Sequence, residues 1–250
     1  MYARRRLGTA LSKCLGAIGL ILIMGGSALA QNFSFIASDN SGPTFSYGLL
    51  QATTISGQIV ATSGSLDVIS GPIVGTYSLS TNPSPPDCVG SQSGSFLYSN
   101  LLYPDQAPLL DPCGLLFTGN NREVNIWNNG GNAPYMYYCF NETSGIFDLG
   151  SNNANFILAS TPAQRIQVLS MIVTALMDIG WQLPAEGQPL QASLNAALAS
   201  VRRGNTHSAT GQLRAFIQKV RAFTAAAELT SAQGQSLIDQ AQAAITALAG

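Results

Sequence analysis

At Thr161 the apolar pattern of this chain changes period, and that change limits the folds open to it. From there Ile166, Leu169, Ile172, Val173, Leu176 and Met177 recur at helical spacing, with Thr161 placed to cap and Pro162 at the first helical position. The spacing predicts a helix over 161–179, stopped by Gly180, and then a connector over 181–189. Leu190, Leu194, Leu198 and Val201 predict a second helix over 190–203, ended by Gly204. Ala209, Leu213, Phe216, Ile217, Val220 and Phe223 predict a third over 206–226. A fourth follows Leu229, where Thr230 and Gln233 match a capping box and Leu237, Ile238, Ala241, Ile245 and Leu248 share a face. Helices this short are marginal alone in water, so they must pack on one another as an antiparallel bundle.

Before Thr161 the chain reads differently. Short apolar runs at 32–37, 44–52, 57–62, 65–69, 75–80, 95–99, 115–118, 123–127, 134–140, 145–149 and 155–159 alternate with turn residues. Many short strands with such punctuation argue for an all-β antiparallel sandwich or a barrel-like fold. The expected architecture is therefore multidomain, with α and β segregated: a β-sandwich over 31–160, then a helical bundle over 161–250.

The N-terminus has its own logic. Arg4, Arg5, Arg6 and Lys13 precede an apolar run at 15–24 and the small residues Ala28-Leu29-Ala30. That is the layout of a secretory signal peptide over 1–30, cleaved before Gln31. The run is short for a membrane span, which needs about 20 residues. Cys14 precedes the run, so it does not read as a lipid-attachment site. Export implies a secreted or periplasmic protein, with no membrane insertion after cleavage. In 31–160 eight acids face one base, a net charge of −7, whereas in 161–250 six bases face four acids, a net of +2. Opposite signs suggest two units that dock on each other.

Past the signal three cysteines remain, and three different single bridges can be drawn between them. Cys88 and Cys113 both sit in turn-like Pro/Asp settings and are the favoured pair. Cys139, in an aromatic run, reads as a buried strand residue. With no C-x-x-C pair, a metal site is not indicated.

Two stretches carry a resemblance. Ser193-Leu194, Ala196-Ala197, Gly204-Asn205, Ala209, 213–217 with Val220 and Ala222, Leu229-Thr230 and Gln235 with Leu237-Ile238 and Ala241 resemble the bacterial FIMAH domain. It is a small helical module at the C-terminus of secreted and surface proteins. The likeness covers about 190–250; one departure is Phe223 after Ala222, where the family often has histidine. Residues 94–104, 108–111, 114–117 and 124–127 resemble a family of small secreted bacterial β-domains, often found with C-terminal sorting tags. Ala249-Gly250 is not such a tag. Neither resemblance implies catalytic residues or a cofactor.

Candidates for chemistry are few. Asp105 and Asp111 could be drawn as a glycosidase carboxylate pair, but single carboxylates in turns need no such role. His207, the only histidine, sits at a polar helix start with no triad partner at recognisable spacing. Asp39-Asn40 and Asn128–Asn132 hold oxygen donors that turn chemistry already explains. Asn32 and Asn141 open N-x-S/T triplets, which would be idle if the chain is bacterial, as the two resemblances imply. Among Phe96, Tyr98, Tyr103, Trp127, Tyr135, Tyr137 and Tyr138, the candidate binding surface is Tyr98, Tyr103, Trp127, Tyr135 and Tyr137. Arg202, Arg203, Arg214 and Arg221 form a candidate basic docking patch. A near-neutral exported module is not expected to bind nucleic acid. The expectation is a non-enzymatic extracellular binding or scaffolding protein, without cofactor, whose partner is a glycan or another extracellular protein; the alternative is a carbohydrate-binding or weakly glycan-active β-domain.

Overall fold

The computed structural model describes residues 30–130, 134–179 and 184–249; the expected signal peptide lies almost wholly outside them. The strands are β1 (Gln31–Asp39), β2 (Phe45–Ile55), β3 (Gln58–Ser70), β4 (Gly75–Leu79), β5 (Val89–Gly90), β6 (Leu97–Tyr98), β7 (Leu101–Leu102), β8 (Leu115–Gly119), β9 (Arg122–Asn128), β10 (Tyr135–Asn141) and β11 (Ile146–Ala159). The helices are α1 (Pro162–Asp178), α2 (Pro184–Arg202), α3 (Thr206–Ala225) and α4 (Ser231–Ala249).

The β-unit is a closed antiparallel barrel, not the expected sandwich. Around it run β1, β2, β3, β4, β8, β9, β10 and β11, each bonded to the next, and β11 returns to β1 with Ser34 opposite Ala159 and Asp39 opposite Ala154. β7 adds outside this ring, on β3, and β5 pairs with β6 apart from it. The sandwich expectation failed because two pairs of short runs are each one long strand. β3 passes straight through Gly64, and β11 passes through Gly150–Asn153, where turn residues suggest breaks. Each strand takes up the turn residues in a register shift, β3 between Ala61 and Ser63 and β11 between Ser151 and Ala154. A Cβ on Gly64 would lie 2.4 Å from the Leu49 carbonyl oxygen, and one on Gly48 would lie 1.9 Å from that of Ser65. Glycine there lets β2 and β3 coil tightly enough for the sheet to close.

Alternation then sorts the side chains. Phe33, Phe35, Leu50, Leu66, Phe117, Val124, Ile126 and Tyr137 fill the barrel interior. An apolar interior is the inverse of a transmembrane barrel, whose lumen is polar and whose outer band is apolar. Among the described residues no helix is long and apolar enough to cross a membrane.

The outer faces of β1, β2 and β11 carry a second core. Ile36, Tyr47 and Ala159 pack with Ile166, Leu169, Val173, Leu213, Phe216, Leu237 and Ala241. The helices contact one another in sequence, α1 also meets α4, and α1 and α4 rest on the barrel. Polar contacts fix the seat: the Gln240 amide donates to the Gly48 carbonyl at 2.8 Å, and Ser236 donates to Asp67 at 2.7 Å. The buried Arg165 donates to the carbonyls of Ser160 and Asn32. The union of the two units is thus mainly apolar.

The helix ends follow the sequence closely. Thr161 and Gln164 form a capping box with Pro162 behind it, Thr230 and Gln233 form another, and Gly204 takes a positive φ after α2. The start of α2 differs. It begins at Pro184, a residue suited to a first helical position, and runs through Pro189, which the sequence reading placed in the connector. Gly180 lies outside the described residues.

Candidate functional site

Between β4 and β8 the chain leaves the barrel at residue 80 and returns at 114. This excursion is closed on itself by one link and bound to the barrel wall by two side chains. Cys88 and Cys113 form a disulfide within it, with Cα atoms 6.1 Å apart. Glu123, fully buried on the outer side of β9, accepts hydrogen bonds from the Ser91 hydroxyl at 2.6 Å, the Ser93 amide at 2.9 Å and the Ser93 hydroxyl. Asn125, two residues along on the same face, donates to the carbonyls of Leu97, Cys113 and Leu115. A carboxylate is tolerated there because neutral donors satisfy both of its oxygens.

So anchored, the excursion lays Phe96 against the outer face of β9–β11 and completes an aromatic surface. Phe96 and Trp127 have ring centroids 6.2 Å apart, Trp127 and Tyr138 5.3 Å, Tyr138 and Phe147 5.9 Å, and Phe140 and Phe147 5.4 Å. Phe147 within this cluster is 51% exposed, Ile146 before it 60%, and Leu97, next in the chain after Phe96, 59%. The rings do not lie in one plane: Trp127 and Tyr138 are inclined at 41°, Tyr138 and Phe147 at 89°. The surface is a faceted apolar patch. The Tyr138 hydroxyl is held by Asn152.

Of the five aromatics expected to form a surface, Trp127 is in this patch. Tyr98 is buried beneath it, with its hydroxyl on the Thr81 carbonyl at 3.0 Å. Tyr137 is inside the barrel, bonded to Ser46 at 3.1 Å. Tyr135 accepts the Leu109 amide at 2.8 Å, and Tyr103 lines a separate groove beside Asp105. The expected surface left out Phe96 and Tyr138, and sequence reasoning missed Phe140, Phe147, Leu97 and Ile146 altogether. Strict alternation from the buried Val124 and Ile126 assigns Trp127 outward; the same count along β10 from Tyr137 and Cys139 assigns Tyr138 and Phe140 outward, and that signal was available.

The remaining candidates are dispersed. Asp111 organises a turn, accepting from the Ser99 hydroxyl and the Gly114 amide, while Asp105 is exposed elsewhere. Asp39 is tied to Ser41 and Ser151, and Asn40 to Asn153 and Asn155; part of 128–132 lies outside the described residues. Arg202, Arg203, Arg214 and Arg221 are exposed at the end of α2 and along α3 and take no part in the apolar seat on the barrel. Cys139 is buried in the barrel interior, where burial pushes its thiol up to about 12. Such a thiol is unreactive at neutral pH.

No family model, curated protein or solved structure matches this chain. Its function has to be argued from its own surfaces.

Two carboxylates give the barrel a pH dependence. Hydrogen bonds from Arg122, at 2.6 Å, and from Asn141 hold Asp148 below its ordinary value of 3.8. Burial pushes Asp39 up, but bonds from Ser151 and Ser41 outweigh it and leave that carboxyl lowered as well. Carboxyls lowered in the folded state add stability that is complete above the unfolded value and lost as pH falls through the folded values. The thermal midpoint should therefore fall steadily below about pH 4, and by less in Asp148→Asn. Identical acid profiles for the two proteins would contradict this.

Proposed function

We propose that this is an exported, non-enzymatic binding protein that engages another extracellular protein through the aromatic patch on the outer face of β9–β11. The exposure of Phe147, Ile146 and Leu97 around a rigid aromatic cluster carries the reading, since exposed aromatic and aliphatic clusters mark protein contacts. The inclined rings and flanking aliphatics favour a protein partner over a glycan, which stacks best on flat exposed faces. The barrel interior is filled by its own side chains, which points to the outside of the wall as the binding surface. The N-terminal signal pattern supports export to a secreted or periplasmic location, and the helical unit is read as an accessory module of the FIMAH kind that braces the barrel.

The reading predicts that labelled protein binds the surface of the producing cells or their matrix, and that Phe147→Ser weakens binding at least about tenfold. Its thermal midpoint should stay near that of the parent, because half of Phe147 is already in water. Equal binding by both proteins would remove the patch from the proposal. Saturable binding on a glycan array, lost in the same variant, would replace the protein partner with a carbohydrate.

A further inference from the structure

The helical unit holds three glycines inside helices among the described residues, and two have packing reasons. A Cβ on Gly187 would meet the Met177 sulfur at 2.0 Å, and one on Gly234 would meet the Thr224 hydroxyl at 2.1 Å. Gly211, in the second turn of α3, has nothing within 4 Å of that position. Glycine weakens a helix interior, and no neighbour in the fold requires it there.

What Gly211 borders is a groove of about 470 Å³ between α3 and the last turns of α4. His207, Thr210 and Arg214 stand along one wall, at helical spacing from one another, and Ile245 and Leu248 form the other. Among the described residues the side chains of His207 and Arg214 have no hydrogen-bond or ion-pair partner, and the one salt bridge is Arg122–Asp148. A guanidinium, an imidazole and a hydroxyl therefore face an open channel with an apolar side, and the glycine leaves the helix backbone bare between them.

From this juxtaposition we infer that the α3–α4 groove is a binding site for a carboxylate that carries an adjoining apolar group. Arg214 takes the carboxylate, with two parallel N–H donors suited to its two oxygens. His207 and Thr210 offer further donors, and the apolar group lies over Gly211 against Ile245 and Leu248. The site is separate from the aromatic patch and does not depend on it. Two sources share this chemistry: the free C-terminus of a polypeptide ending in an apolar residue, and a small apolar acid.

The experiment is a heteronuclear NMR titration of the purified protein with three probes: a short peptide ending in leucine with a free carboxylate, the same peptide amidated, and hexanoate. Saturable shifts are expected at residues 206–214 and 245–248, with the amidated peptide weaker by about tenfold or more. Arg214→Met, which removes the cation, and Gly211→Leu, which fills the channel, should each weaken binding by a similar factor. Both sites face open space, so both variants should stay folded, and Gly211→Ala should melt above the parent. Tighter binding of the peptide assigns the source to a chain terminus, and of hexanoate to a small acid; either supports the site. Absence of saturable shifts, equal binding of the amidated peptide, or affinities unchanged in both variants would overturn it.

Discussion

Phe216→Ala should cost this protein about 3–5 kcal/mol of stability. Phe216 is fully buried at the centre of α3, in the core that joins the helices to Ile36, Tyr47 and Ala159 on the outside of the barrel. Removing the ring deletes apolar contacts and leaves a cavity that surrounding helices can close only in part. The measurement is denaturant unfolding of the whole protein followed by far-ultraviolet circular dichroism. Gln218→Ala, exposed on the same helix, is the control and should lie within about 0.5 kcal/mol of the parent. Equal midpoints for Phe216→Ala and the control would mean that this core is not where the structure places it.

The second large effect is expected from the disulfide. Cys88 and Cys113 close a loop with a sequence separation of 25. Chain entropy assigns such a closure about 3 kcal/mol, because the link removes freedom from the unfolded chain. The loop is also the excursion that brings Phe96 to the aromatic patch and Ser91 and Ser93 to Glu123. Replacing both cysteines with serine should therefore lower stability by about 3 kcal/mol and loosen the patch. Denaturant melts of the double variant, read beside tryptophan emission from the patch, test both. Cys139 stays buried and adds no exchange partner in the folded state. An unchanged midpoint would show that the Glu123 and Asn125 bonds hold the excursion by themselves.

How legible the protein was in its sequence depended on the range of the forces involved. Helix faces and caps are local: Thr161 with Pro162, Thr230 with Gln233, and the stop at Gly204 all lie within a turn of what they control, and the structure has them as expected. The start of α2 was missed because Pro189 reads locally as a break, whereas the helix passes through it. Cys88–Cys113 was legible from its turn context. The patch was half legible. Its aromatics were visible and alternation along β10 gives their faces, but Phe147 meets Tyr138 and Phe140 only through the pairing of β10 with β11, and Phe96 joins only because the excursion is anchored at Glu123.

By itself the sequence determined a β-unit followed by four amphipathic helices, since alternation and the 3.6-residue period are properties of neighbouring residues. Only the tertiary structure decided that the β-unit is a barrel. Sandwich and barrel share the same alternation, and closure rests on β1 meeting β11 across the length of the unit, with Gly48 and Gly64 admitting the necessary bend. The same holds for the two sites. The aromatic patch and the groove beside Gly211 each collect residues from separate elements, and no local pattern records that they meet.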